Sequence, residues 1–102
     1  MPHREIQPND VKNLLDNNEN LSLIDVREEE EVAEGKIPGA KHIPLGEIHE
    51  RLDEIDENTE HIMVCRSGGR SGKATDYLMT KGYKVKNMPG GMLEWEGPIE
   101  KK

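Results

Sequence analysis

Apolar runs too short for helices and too apolar to face water recur along this chain, and each is followed by a segment of helical spacing. Leu21-Ser22-Leu23-Ile24-Asp25-Val26 and Ile62-Met63-Val64-Cys65 read as buried strands, His42-Ile43-Pro44 as a very short strand, and residues 83–88 as a further one. Pro8-Asn9-Asp10 opens a helical pattern with Val11, Leu14 and Leu15 on one face, ended by Asn17-Asn18. Residues 28–33 form a short acidic helix; Leu45, Ile48, Leu52 and Ile55 recur at helical spacing; Ala74, Leu78 and Met79 lie on a helix closed by Gly82. Gly35-Lys36-Ile37-Pro38-Gly39-Ala40 is a loop, since two glycines and a proline leave no room for a regular element. Pro89-Gly90-Gly91 turns the chain into a last short helix holding Trp95. Strands alternating with helices predict an α/β fold, a central parallel sheet with helices on both faces. At 102 residues, with no repeat or low-complexity linker, residues 1–102 are expected to form a single domain. Its aromatic residues are Trp95, Tyr77 and Tyr83, so the core rests on Ile, Leu, Val and Met, with Trp95 as an expected core anchor.

In such sheets ligands bind beyond the carboxyl ends of the strands, and Cys65 falls there. Most lone cysteines are inert buried hydrophobes. This one breaks from its apolar run into Arg66-Ser67-Gly68-Gly69-Arg70-Ser71, a glycine-rich turn leading into a helix. Such a turn aims backbone N–H groups and the positive helix end at the sulfur, and two arginines add fixed charge. The thiol is expected to ionise below its ordinary value. Gly68 and Gly69 allow positive φ and close backbone approach, and the amides of residues 66–70 form the expected anion cradle. The Ser71 hydroxyl, like that of Ser67, either donates to the sulfur or, for Ser71, stabilises the first turn of its helix.

As the one cysteine, Cys65 permits no internal disulfide, no CxxC and no Cys/His zinc pattern, so neither metal nor cofactor is expected. The net charge of −7 argues against nucleic acid or an anionic membrane as partner, so an anionic ligand must be drawn by local positive charge. Met1-Pro2-His3-Arg4-Glu5 has no apolar export signal, and no stretch approaches membrane-spanning length, which together with the free thiol predicts a cytoplasmic protein. His3, His42, His49 and His61 have no spacing suited to a metal or a Cys/His dyad and are read as non-catalytic.

Taken in order, these landmarks resemble the single-domain rhodaneses, a family of sulfurtransferases. Asp25-Val26-Arg27, Glu31, Gly35-Lys36-Ile37-Pro38-Gly39-Ala40 and His42-Ile43-Pro44 come first; Cys65-Arg66-Ser67-Gly68-Gly69-Arg70-Ser71 follows the pattern of the family's active-site loop; Gly90-Gly91 with Trp95 follows its C-terminal signature. The chain departs from the pattern at Val32, often aromatic, and Lys36, often histidine; Lys36 either adds charge near the site or lies on the surface.

The resemblance implies a rhodanese-like fold and makes Cys65 the nucleophile. It would take the outer sulfur of a small anionic donor such as thiosulfate, hold it as a persulfide, and pass it to cyanide, a thiol or a protein acceptor. Arg66, Ser67, Gly68, Gly69 and Arg70 would bind the substrate, with Arg66 facing anionic donors and Arg70 tying the loop to a carboxylate. Ser71, Asp25 and Arg27 would support the loop, the last two either by bracing it or by pairing with each other. A persulfide carrier or docking module is the alternative of a different class. A cysteine-dependent phosphatase or arsenate reductase is disfavoured, because Cys65 to Arg70 is C-x4-R, one residue shorter than the loop of phosphatases sharing the fold, and no resolving cysteine is present.

Overall fold

The computed structural model describes residues 4–101; the N-terminal Met1, Pro2 and His3 lie outside the described residues. Four strands, β1 (Ser22–Asp25), β2 (Lys41–His42), β3 (His61–Val64) and β4 (Val85–Asn87), form one sheet in the order β2-β1-β3-β4. Every strand pair is parallel, with Asp25 opposite Val64 and Met63 opposite Asn87. The outer edge of β4 is extended by the N-terminal segment, where Ile6 N–H donates to Asn87 O and Asn87 N–H to Arg4 O.

The helices are α1 (Pro8–Asp16), α2 (Glu29–Glu34) and α3 (Gly69–Thr80). Both faces of the sheet are covered, which is why β1 and β3 are apolar at consecutive positions rather than alternately. Successive side chains go to opposite faces. Ile24, Val26, Met63, Cys65 and Val85 pack with Ala74 and Leu78 of α3, while Leu23, Ile62 and Val64 pack with Val11 of α1, Ile37 and Met88.

Two elements differ from the sequence reading. The stretch carrying Leu45, Ile48, Leu52 and Ile55 is not one α-helix but two 3₁₀ segments, Leu45–Glu50 and Leu52–Glu54. They part at Arg51, whose backbone leaves the helical region at φ −119° and whose side chain bonds Glu47 and Glu54. The break lets Ile48 and Ile55 each enter the cluster under α3. Trp95 is not a core anchor either. It follows a third 3₁₀ segment, Gly91–Glu94, lies half-buried at the edge of the second cluster, and donates its indole N–H to Pro98 O at 3.0 Å.

The outgoing loops of the two central strands diverge, because β1 leads to β2 on one side while β3 leads through α3 to β4 on the other. A crevice opens at such a point. Its β1 side is fixed by an ion pair: Arg27 donates from Nε and Nη2 to the Asp25 carboxylate at 2.8–3.1 Å, and the Arg27 backbone N–H adds a fourth bond, to Oδ1. Nη2 also reaches Gly35 O at 2.7 Å, tying the end of α2 to the sheet. Asp25 is fully buried and Arg27 nearly so. Removing one member of such a pair strands the other charge, at a cost of about 3–5 kcal/mol. Asp25→Ala is therefore expected to lower unfolding free energy by about that amount in urea denaturation. A loss under about 1 kcal/mol would show that this pair does not hold the crevice wall.

Candidate active site

Cys65 follows the last residue of β3, on the face that packs against α3. The chain turns at Gly68, whose φ of +101° is left-handed, and enters α3 at Gly69. A side chain at 68 would be excluded twice: by that backbone conformation, and by Gly90 N and Pro89 Cα, each 3.1 Å from where a Cβ would sit. The turn aims Gly68 N–H at Cys65 Sγ, 3.0 Å away. Gly69 does not take a positive φ as expected, because it is the first residue of α3.

A second approach holds the loop from β4. Gly91, also left-handed at φ +53°, passes so close to Cys65 O that a Cβ would lie 2.3 Å from it. Met92 N–H then donates to Cys65 O and Leu93 N–H to Arg66 O, both at 2.9 Å. These bonds satisfy the carbonyls of Cys65 and Arg66 and tie the loop to the segment that follows β4.

Cys65 is 1% exposed. Burial pushes its thiol upward, but the Ser71 hydroxyl and the amides of Ser71, Gly68 and Ser67 together outweigh that, so the net shift is downward as expected. The donors are narrower than the full run from residue 66 to 70, and the hydroxyl of Ser71, fully buried with Oγ 3.3 Å from Sγ, is foremost among them. Arg70 and the thiolate favour each other's charge at longer range.

The three arginines divide their tasks. Arg27 pairs with Asp25 rather than bracing the cysteine loop. Arg70 makes a two-pronged bond to Glu31 of α2, with Nη1 and Nη2 at 2.7 and 2.8 Å from its carboxylate oxygens, and that bond holds Glu31 down at about 2. Glu31 also closes a capping box with Glu28, so the helix and the loop share one carboxylate. Arg66 is exposed and makes no ion pair among the described residues. Ser67 is exposed beside it.

Arg66 lines a cleft of about 500 Å³ together with Arg27, Glu31 and Glu34 on one side and Met92, Leu93, Trp95 and Ile99 on the other. Leu93 and Ile99, at 64% and 54%, are the exposed large hydrophobic residues of the described chain, and both stand on this cleft. Lys36 is neither at its mouth nor free in solvent. Its Nζ bonds Glu100 Oε1 at 2.9 Å and Ala40 O at 3.1 Å, and its backbone pairs with Glu100, which anchors the C-terminal segment carrying Ile99. His42 bonds Arg27 O, and His61 bonds Ser22 and Asp56 O. Among the described residues no group of His, Cys, Asp or Glu could hold a metal ion.

Asn87 is the residue that sequence reading missed. Two positions from Val85, it turns to the same face of the sheet and meets Ser71 Oγ through Oδ1 and Gly68 O through Nδ2 at 3.2 Å. No local signal marked it, because β4 reads Val85-Lys86-Asn87 and the polar Lys86 stands beside it.

Comparison with known proteins agrees with this architecture. The model of the rhodanese-like domain matches residues 7–98. YtwF of Bacillus subtilis, provisionally named a sulfurtransferase, is 45% identical over 102 residues, covering 100% of this chain and 99% of its own. YrkF of the same organism, provisionally named a sulfur carrier protein, is 42% identical over 94% of this chain, which spans 52% of YrkF. A rhodanese-like domain protein from Staphylococcus aureus superposes with a TM-score of 0.92 at 36% identity, over 97% of this chain and 98% of that one. The fold, the loop and the relatives agree: this chain belongs to the rhodanese-like domain family.

Proposed function

We propose that this protein transfers sulfane sulfur through a persulfide on Cys65, taking it from thiosulfate or another anionic donor. The Cys65 thiolate attacks the outer sulfur of the donor. A new S–S bond forms, the donor's S–S bond breaks, and its electron pair leaves with sulfite. The persulfide's outer sulfur then accepts attack by a thiolate or cyanide, and the displaced electron pair regenerates the Cys65 thiolate. The observation that carries this reading is the seating of Sγ against Gly68 N–H, inside a C-x4-R loop whose amides are oriented before any charge develops.

Arg66 stands exposed beside the loop and makes no ion pair among the described residues, which suits it to an anionic donor. A cleft of about 500 Å³ with exposed Leu93 and Ile99 is far larger than cyanide needs and supports an organic thiol or a protein as acceptor. The sulfur-carrier name of YrkF supports a second reading, in which sulfur carriage to a protein partner outweighs turnover. A phosphatase would need a leaving-group acid, and Glu31, the carboxylate that reaches the loop through Arg70, is committed to that arginine. A thiol that must stay reduced to act supports the cytoplasm as its compartment.

Mass spectrometry after incubation with thiosulfate is expected to show one added sulfur on the parent protein and none on Cys65→Ser, with sulfur transfer abolished in that variant. Sulfur transfer retained by Cys65→Ser would overturn the mechanism. Rapid saturable turnover with thiosulfate and cyanide favours the enzyme, whereas stoichiometric persulfide with negligible turnover favours the carrier.

Arg66→Ala is expected to raise KM for thiosulfate about tenfold, the equivalent of one charge-assisted hydrogen bond, with kcat and thermal stability little changed. Unaltered thiosulfate kinetics would remove Arg66 from the donor site.

A further inference from the structure

The buried hydroxyl of Ser71 has one proton and two neighbours that can receive it. Sγ of Cys65 lies 3.3 Å from Oγ, and Oδ1 of Asn87 lies on its other side. Which end of the Asn87 amide faces Ser71 is settled by Gly68 O, which can only accept and therefore requires Nδ2. Oδ1 likewise can only accept, so the Ser71 proton points at Asn87 when the sulfur does not claim it. Ser71 and Asn87 are both buried, and Thr75 fixes the Ser71 carbonyl by donating to it at 2.7 Å, so the pair is screened from water and held on α3 and β4.

We propose that Asn87 is a positioning residue that competes with the Cys65 sulfur for the Ser71 hydroxyl proton. Ionisation of the thiol draws the hydroxyl toward Sγ, and Asn87 weakens that donation by offering an alternative acceptor. The thiolate is stabilised enough to form but not so strongly that its nucleophilicity is lost, which falls as the thiol becomes more acidic. In the persulfide the charge sits on the outer sulfur, and the hydroxyl returns to Asn87. The inference rests on Cys65 as the sulfur-bearing atom, but its test reads the thiol directly and holds whether or not transfer occurs.

The charged side chain that interacts with the thiolate is Arg70, with Glu31 of α2 as its partner, and Arg66 adjoins in the loop. The variants leave all three in place. The pH dependence of Cys65 alkylation by iodoacetamide is measured for the parent, Ser71→Ala, Asn87→Ala and the double variant, each checked for folding by circular dichroism. Ser71→Ala is expected to raise the midpoint by about one pH unit, the worth of a hydrogen bond to a charged group. Asn87→Ala is expected to lower it by about half a unit and to slow the fully ionised thiolate by about 1.5-fold, because the hydroxyl is released to the sulfur. In the Ser71→Ala background the downward shift is expected to vanish, since Asn87 acts through Ser71. If Asn87→Ala shifts the midpoint equally in both backgrounds, Asn87 merely tethers Gly68 and the proposal fails. Should Asn87→Ala not fold, Asn87→Leu removes the same polar atoms at similar volume and is read by the same criterion.

Discussion

The Gly68 N–H can reach the sulfur of Cys65 only because residue 68 is left-handed and carries no side chain, and much of the surrounding structure is built to that constraint. The backbone of residues 89 and 90 fills the space a Cβ would occupy, Gly91 lies on the carbonyl of Cys65, and α3 begins one residue later. The result is a set of backbone donors that needs no rearrangement when the sulfur becomes charged, which is the condition under which a few hydrogen bonds outweigh the cost of burying an anion. Burial alone would have made this thiol harder to ionise.

Much of this was legible from sequence because its cause is local. Apolar runs at 21–26 and 62–65 require two buried faces, so the parallel sheet follows, and a cysteine ending one run before two glycines places the sulfur at the open end of the sheet. What was not legible depends on long-range contact. The 3:4:3 spacing of Leu45, Ile48, Leu52 and Ile55 fits an α-helix as well as two 3₁₀ turns, and only packing against α3 chooses between them. Glu31 as the partner of Arg70, thirty-nine residues away, and Asn87 as the partner of Ser71 are set by the fold and have no local signature. The same holds for Lys36, whose partner Glu100 lies sixty-four residues further on.

Charge is allocated with similar economy. Of the arginines around the crevice, Arg27 is spent on a buried carboxylate and Arg70 on Glu31, and these pairs hold β1, α2 and the cysteine loop in one arrangement. Arg66 makes no ion pair among the described residues and remains on the cleft. A chain of net charge −7 thereby keeps one positive group exposed on the cleft, while Arg27 is buried and Arg70 only partly exposed.

Met92 and Leu93 act twice. Their amides hold the carbonyls of Cys65 and Arg66, and both residues line the cleft, where the Leu93 side chain stands largely in solvent. The first task uses atoms common to every residue except proline, and the second uses only what distinguishes one residue from another. Substitution at these positions can therefore reshape what the cleft receives while the sulfur keeps its surroundings. Under the proposed function, recognition and chemistry are thereby free to diverge at separate rates.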